Sequence, residues 1–126
     1  MSHFTEIKTE IRDAKALRAA CSELGLNLLE NTEARGFNGA TRHGEFVIRL
    51  KGPYDIALNH DGSRNFSLST DWWAGHVEKE VGKNYGRLLQ LYGVHKATHE
   101  ARRRGYTVRR AQLKNGAVKL TIGGLS

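Results

Sequence analysis

The chain has a single cysteine, Cys21, which excludes an internal disulfide and any metal site built from several cysteines. Cys21 stands at helical spacing from Leu17 and Leu24, so a buried, inert thiol is expected rather than a nucleophile. The only proline, Pro53, follows Gly52 in a turn, and no linker or low-complexity tract interrupts the chain. No apolar run approaches the roughly 20 residues that cross a bilayer, and the opening MSHFTEIKTEIRD lacks the basic-then-apolar layout of a secretory signal. These absences predict a cytoplasmic protein with no membrane partner. Acidic residues are scarce in the last third: residues 87–126 hold nine Lys/Arg and one Asp/Glu, while the rest of the chain is near balance. That skew, within a net charge of +7, favours anionic partners. Tryptophan is scarce too, and the two that exist, Trp72 and Trp73, are adjacent.

What is present is the composition of a folded domain, 39% hydrophobic and 26% charged over 126 residues, so one compact domain spanning 1–126 is expected. Strict alternation in TEIKTEI predicts a strand with Thr5, Ile7, Thr9 and Ile11 on one face. Asp13 can cap a helix whose apolar stripe is Leu17, Ala20, Cys21 and Leu24, ending at Gly25. A weaker strand pattern lies within Leu26 to Arg35, followed by a turn at Asn38-Gly39. Phe46 to Leu50 and Tyr54 to Leu58 alternate cleanly about Gly52-Pro53 and predict an antiparallel pair. A further strand over Asn65 to Trp73 would place Trp72 with Phe66 and Leu68 on the apolar face and Trp73 on the polar one.

Val77 to Arg104 reads as a long helix with Val77, Val81, Tyr85, Leu88, Leu91 and Tyr92 in one stripe, bent near Gly93 or broken by its glycines. The end reads as a hairpin, Tyr106 to Leu113 and Ala117 to Ile122, turning at Asn115-Gly116. A two-residue turn there pairs Gln112 with Lys119 and Arg110 with Thr121, putting Arg110 and Lys119 on one solvent face. Tight turns between strands and helices with one apolar side predict an α+β, two-layer domain: a mainly antiparallel sheet of about six to seven short strands with two helices packed on one face. An unpaired edge strand would suit a homodimer as well as a monomer.

The opening MSHFTEIKTEIRD, RGFNG at Arg35, VIRLKGPYDI at Val47, DWW at Asp71 and EARRRGYTV at Glu100 together resemble the family named after the hypothetical chloroplast open reading frame thirty-five, found in algal plastids and cyanobacteria. The resemblance covers almost the whole chain. It implies a compact domain of unknown activity, and an accessory or adaptor role beside ATPases of the AAA+ type. It implies no catalytic residues.

Motifs for chemistry are few. RGFNGATRHGE and VGKNYG lack the spacing of a nucleotide-binding loop, no serine lies in a nucleophile elbow, and although Asp55, Asp61 or Asp71 could act as acid or base with one of the six histidines, such combinations arise by chance in most sequences of this composition. His95 and His99 are spaced i, i+4 and could share a zinc ion, but Lys96 stands where a metalloprotease needs glutamate. Semi-buried histidines are the expected reading, and no cofactor is expected.

Two surfaces remain. Trp73, with Asp71 and His76 beside it, is an aromatic on a polar strand face and the candidate contact for a protein partner, such as an ATPase. Lys96, Arg102, Arg103, Arg104, Arg109, Arg110, Lys114 and Lys119 form a basic tail that could meet phosphates. Part of that run would serve the helix dipole. The sequence therefore leans towards a non-catalytic binding or adaptor domain, with an RNA-binding module as the alternative and a metal-dependent enzyme at His95 and His99 third.

Overall fold

The computed structural model describes residues 4–125. Five strands form one antiparallel sheet: β1 (Thr5–Lys8), β2 (Asn27–Arg35), β3 (Thr41–Arg49), β4 (Ile56–His60) and β5 (Phe66–Thr70), in the order β1-β5-β4-β3-β2. Helix α1 (Ala14–Glu23) and helix α3 (Gly86–Arg103) cover one face, and β6 (Tyr106–Gln112) with β7 (Val118–Leu125) makes a separate hairpin against α3. The architecture is the α+β arrangement read from the sequence, with seven strands.

Helix α1 begins where Asp13 accepts a hydrogen bond from the Ala16 N–H at 3.1 Å. It ends in a Schellman pair, Leu26 N–H to the Cys21 carbonyl and Gly25 N–H to the Ser22 carbonyl, with Gly25 at φ +74°. Ala16, Leu17, Ala20 and Cys21 point inward, and burial pushes the Cys21 thiol up to about 12. Against them lie Ile48, Ile56, Leu58, Phe66 and Leu68 from the sheet, and Leu88, Leu91 and Tyr92 from α3. The Tyr92 hydroxyl accepts from the N–H groups of Arg12 and Asp13, both at 3.0 Å, pinning α3 to the start of α1.

The other face of the sheet is covered by the sheet's own hairpin. Strands β2 and β3 pair from Asn27↔Arg49 to Arg35↔Thr41. Midway, Asn31 adopts φ +48°, and a Cβ on Gly44 would collide with the Phe46 carbonyl oxygen. The bend folds the distal end of the hairpin back, so that Ala34 packs on Val47 and Ala57 in a second small core with Phe4. Arg49 Nη2 reaches the Glu33 carbonyl across the fold at 3.2 Å.

Four expectations are corrected. The first strand stops at Lys8, so Ile7 and Ile11 part company: Ile7 is 40% exposed on an edge and Ile11 is buried. Strand β5 stops at Thr70, so alternation does not govern Trp72 and Trp73. The long helix breaks at Gly82 rather than bending at Gly93, giving the one-turn α2 (Glu78–Val81), a 3₁₀ turn over Lys83–Tyr85, and then α3. Gly82, at φ +86°, is needed there because a Cβ would lie 2.8 Å from the Arg87 nitrogen. The terminal hairpin pairs Arg110↔Leu120 and Ala111↔Lys119, one residue from the expected register. Its turn has three loop residues: Leu113 N–H bonds Ala117, Gly116 N–H bonds Leu113, and Gly116 at φ +86° closes a type I turn with a bulge. Because a one-residue slip swaps faces, Arg110 and Lys119 lie on opposite sides of the ribbon.

Candidate functional site

Asp71 follows the last residue of β5 and is 1% exposed. Its Oδ2 accepts from the Phe37 N–H at 3.1 Å and its Oδ1 from the Trp73 N–H at 3.0 Å. One buried carboxylate thus holds the first residue of two separate loops. The loops have the same local form: Phe37 is followed by Asn38 and Gly39 at φ +57° and +80°, and Trp73 by Ala74 and Gly75 at +58° and +74°. Two left-handed residues in succession turn the chain sharply and leave each aromatic at the outside of its turn. The rings of Phe37 and Trp73 meet edge to face with centroids 5.6 Å apart, and remain 38% and 49% exposed.

Asn38 and the two glycines suit this conformation, but Ala74 does not, since a Cβ in the left-handed region costs about 1–2 kcal/mol. Strain of this kind persists where the surroundings hold it, and it gathers at sites of function.

Trp72 takes the opposite course. It is half-buried against the core, and its ring meets the buried Tyr85 ring edge to face at 4.8 Å. The two tryptophans are therefore divided between core and surface, as the sequence suggests, but by a turn rather than by strand alternation. His76, one turn on, packs edge to face on Tyr54 at 5.4 Å, and burial, followed by the nearby Asp71 charge, raises the Tyr54 hydroxyl above its ordinary value.

Beneath the aromatic pair lies an ion-pair anchor. Asp55 is fully buried, and Arg35 grips it in a fork, Nε to Oδ2 and Nη2 to Oδ1, each at 2.8 Å. The N–H groups of Arg35 and Leu50 add two more bonds, and Arg49 Nε stands 3.2 Å away. Burial pushes the Asp55 carboxyl up, but the bonds from Arg35 and Leu50 outweigh it and hold the group below the usual carboxylate range. Arg35 Nη2 also donates to the carbonyls of Leu50 and Gly52, while Glu80 of α2 accepts from the N–H groups of Lys51 and Gly52 at 2.7 and 3.0 Å. The segments RGFNG, VIRLKGPYDI and DWW, far apart in the chain, are thereby bound into one end of the fold.

Of the residues nominated from the sequence, Asp71, Trp73 and His76 come together here. Asp71 is too buried to touch a partner and acts by positioning. Phe37 was missed: the aromatic before Asn38-Gly39 was the available signal, yet its bond to Asp71 spans 34 residues.

His95 and His99 belong to a different cluster. His95 Nε2 lies 2.8 Å from Glu23 Oε1, and Arg110 forks onto both Glu23 oxygens at 2.9 and 2.7 Å. The Arg110 and His95 bonds depress the Glu23 carboxyl to about 2. Among the described residues, no group of three or more His, Cys, Asp or Glu is placed to hold a metal ion. The basic tail likewise divides, since Arg110 is tied to Glu23 and Lys96 to Glu100, whereas Arg102, Arg103, Arg104, Arg109, Lys114 and Lys119 have no ion-pair partner among the described residues. No helix among those residues is long and apolar enough to cross a membrane.

A family model described as "Protein of unknown function (DUF1257)" matches residues 20–121. The "Uncharacterized protein ycf35" of Guillardia theta is 26% identical over 126 residues, covering 97% of this chain and 96% of that protein. No solved structure matches. The family match runs from within α1 into β7 and takes in every segment gathered about Asp71, and on that extent the chain belongs to the DUF1257 family of proteins of unknown function.

Proposed function

We propose that this chain is a non-catalytic binding domain that engages a protein partner through the Phe37–Trp73 pair. The observation that carries the reading is the Asp71 clamp: two exposed aromatic rings in contact, each fixed through its own backbone to one buried carboxylate. Rings held in place before binding lose little freedom on docking, and tryptophan is prominent among the residues that dominate interface energies. The two buried carboxylates at this end support binding rather than catalysis, because Asp71 is occupied by backbone N–H groups and Asp55 by Arg35. The partner class implied by the family resemblance is an ATPase of the AAA+ type.

The test is affinity capture from the source organism's extract with the intact protein and with the Phe37→Ala/Trp73→Ala double variant, read by mass spectrometry. An AAA+ ATPase retained by the wild type and reduced at least about thirtyfold by the double variant, the loss expected for a hot spot of about 2 kcal/mol, supports the reading. Identical capture by two equally well-folded proteins overturns it.

A further inference from the structure

The terminal ribbon carries a second surface, of different chemistry. Its side chains alternate: Val108, Arg110, Gln112 and Val118 line the clefts against the helices. On the other face, Arg109 stands opposite Thr121 and Ala111 opposite Lys119, all four exposed. The register therefore sets Arg109 and Lys119 diagonally adjacent, about 7–8 Å apart along the backbone, so each can meet a different anionic group. Arg103 is exposed where α3 runs into β6, and Lys114 stands in the turn at the other end, whereas Arg102 and Arg104 border clefts on the inner side, beside Val108 and Ile122. The seven residues of β6 give the face a length of about 23 Å.

The charge on this face is not neutralised from within. Glu100, the one acid of residues 87–126, pairs with Lys96 at 3.4 Å. Between its two ends the face offers only Thr107, Ala111 and Thr121 beside the cations, so it presents no pocket for an apolar anchor, and the exposed Leu113 stands at the tip. A ligand matching a flat cationic track without an apolar anchor is one with fixed, regularly spaced negative charge along its length. A phosphodiester backbone has that character.

We infer that the outer face of β6–β7, with Arg109 and Lys119 at its centre and Arg103 and Lys114 at its ends, binds the phosphate backbone of nucleic acid without reading sequence. Arg110 and Lys96 take no part, being held by Glu23 and Glu100. The surface is independent of the aromatic pair, so either proposal can fail alone.

The experiment measures anisotropy of a labelled RNA of roughly 20 nucleotides and a DNA duplex of roughly 20 base pairs between about 50 and 200 mM salt. The proteins are the wild type, Arg109→Gln/Lys119→Gln, and a control of equal charge change, Arg64→Gln/Lys83→Gln. Glutamine removes the charge while keeping a polar side chain, and matched melting temperatures verify that both variants fold. Losing two phosphate contacts should flatten the slope of log K against log salt by about 1.8 on duplex or about 1.4 on single strand, in the ribbon variant alone. The difference between the two substrates tells which form is bound. Absence of binding at about 50 mM salt, an equal change in the control, or displacement by polyglutamate as effective per charge as by nucleic acid overturns the assignment.

Discussion

The backbone N–H of Phe37 donates to the side chain of Asp71 at 3.1 Å, joining the tip of the β2–β3 hairpin to the end of β5. The second oxygen of the same carboxylate holds Trp73, so the spacing of the two exposed rings depends on one side chain. Asp71→Ala leaves both part-buried N–H groups without their acceptor, and a loss of about 1–3 kcal/mol is expected in chemical denaturation. Trp73 fluorescence should shift to the red as the ring loses its fixed position against Phe37.

The adjacent tryptophans should separate in a stability measurement. Trp72→Ala removes a ring packed on Tyr85 and the core and should cost about 3 kcal/mol. Trp73→Ala removes a ring that is half in solvent and should cost less than about 1 kcal/mol of stability, while weakening capture of the proposed partner. Comparable losses for both would refute the division of the pair between core and surface.

Ala74 holds a left-handed conformation that glycine adopts without penalty. Ala74→Gly should therefore raise the unfolding free energy by up to about 1 kcal/mol, because relief of Cβ strain outweighs the added freedom of the unfolded chain. A thermal melt decides the sign, and a lowered midpoint would show that the turn is not strained.

Asp55→Asn replaces a fully buried carboxylate and leaves the Arg35 guanidinium without its counter-charge. The Arg35 side chain is 43% exposed and can be solvated, so the expected loss, from weakened charge-assisted bonds at the buried Asp55 site, is about 2–3 kcal/mol. Urea denaturation measures the effect, and a loss below about 1 kcal/mol would contradict an anchoring role.

Glu23 gives the terminal hairpin a signature in acid. Its carboxyl lies at about 2 in the folded protein and at 4.5 when unperturbed, so the bonds from Arg110 and His95 stabilise the fold fully above about pH 4.5. That contribution fades as the pH falls from 4.5 towards 2. Because the pair is partly solvated, its size is about 1 kcal/mol. Glu23→Gln should show the lower stability at neutral pH and a smaller loss across that acid window.

The elements written locally were the ones open to sequence reasoning. Asp13 and Gly25 mark the limits of α1, and the antiparallel pairing of Phe46–Ile48 with Ile56–Leu58 follows from alternation on either side of one turn. The terminal hairpin was mis-registered because Asn115-Gly116 suits two turn types, and the three-residue loop with a left-handed Gly116 shifts every partner by one. Apolar periodicity continued through Gly82 although the helix did not, since Val77, Val81, Tyr85 and Leu88 enter the same core from either side of the break. Phe37 was missed for another reason. Its meeting with Asp71 depends on the bend at Asn31 and Gly44, and a glycine in a strand gives no direction.

That bend ties contact to closure. The distal end of the hairpin, which carries Phe37, also packs on Val47 and Ala57, so lifting it would uncover the small outer core and withdraw half of the aromatic pair in one motion. A ligand gripping Phe37 in its clamped position would hold the hairpin down by as much as the hairpin's closure favours the ligand. The outer wall of the sheet would then act as a latch, and its amide exchange should slow when the rings are occupied.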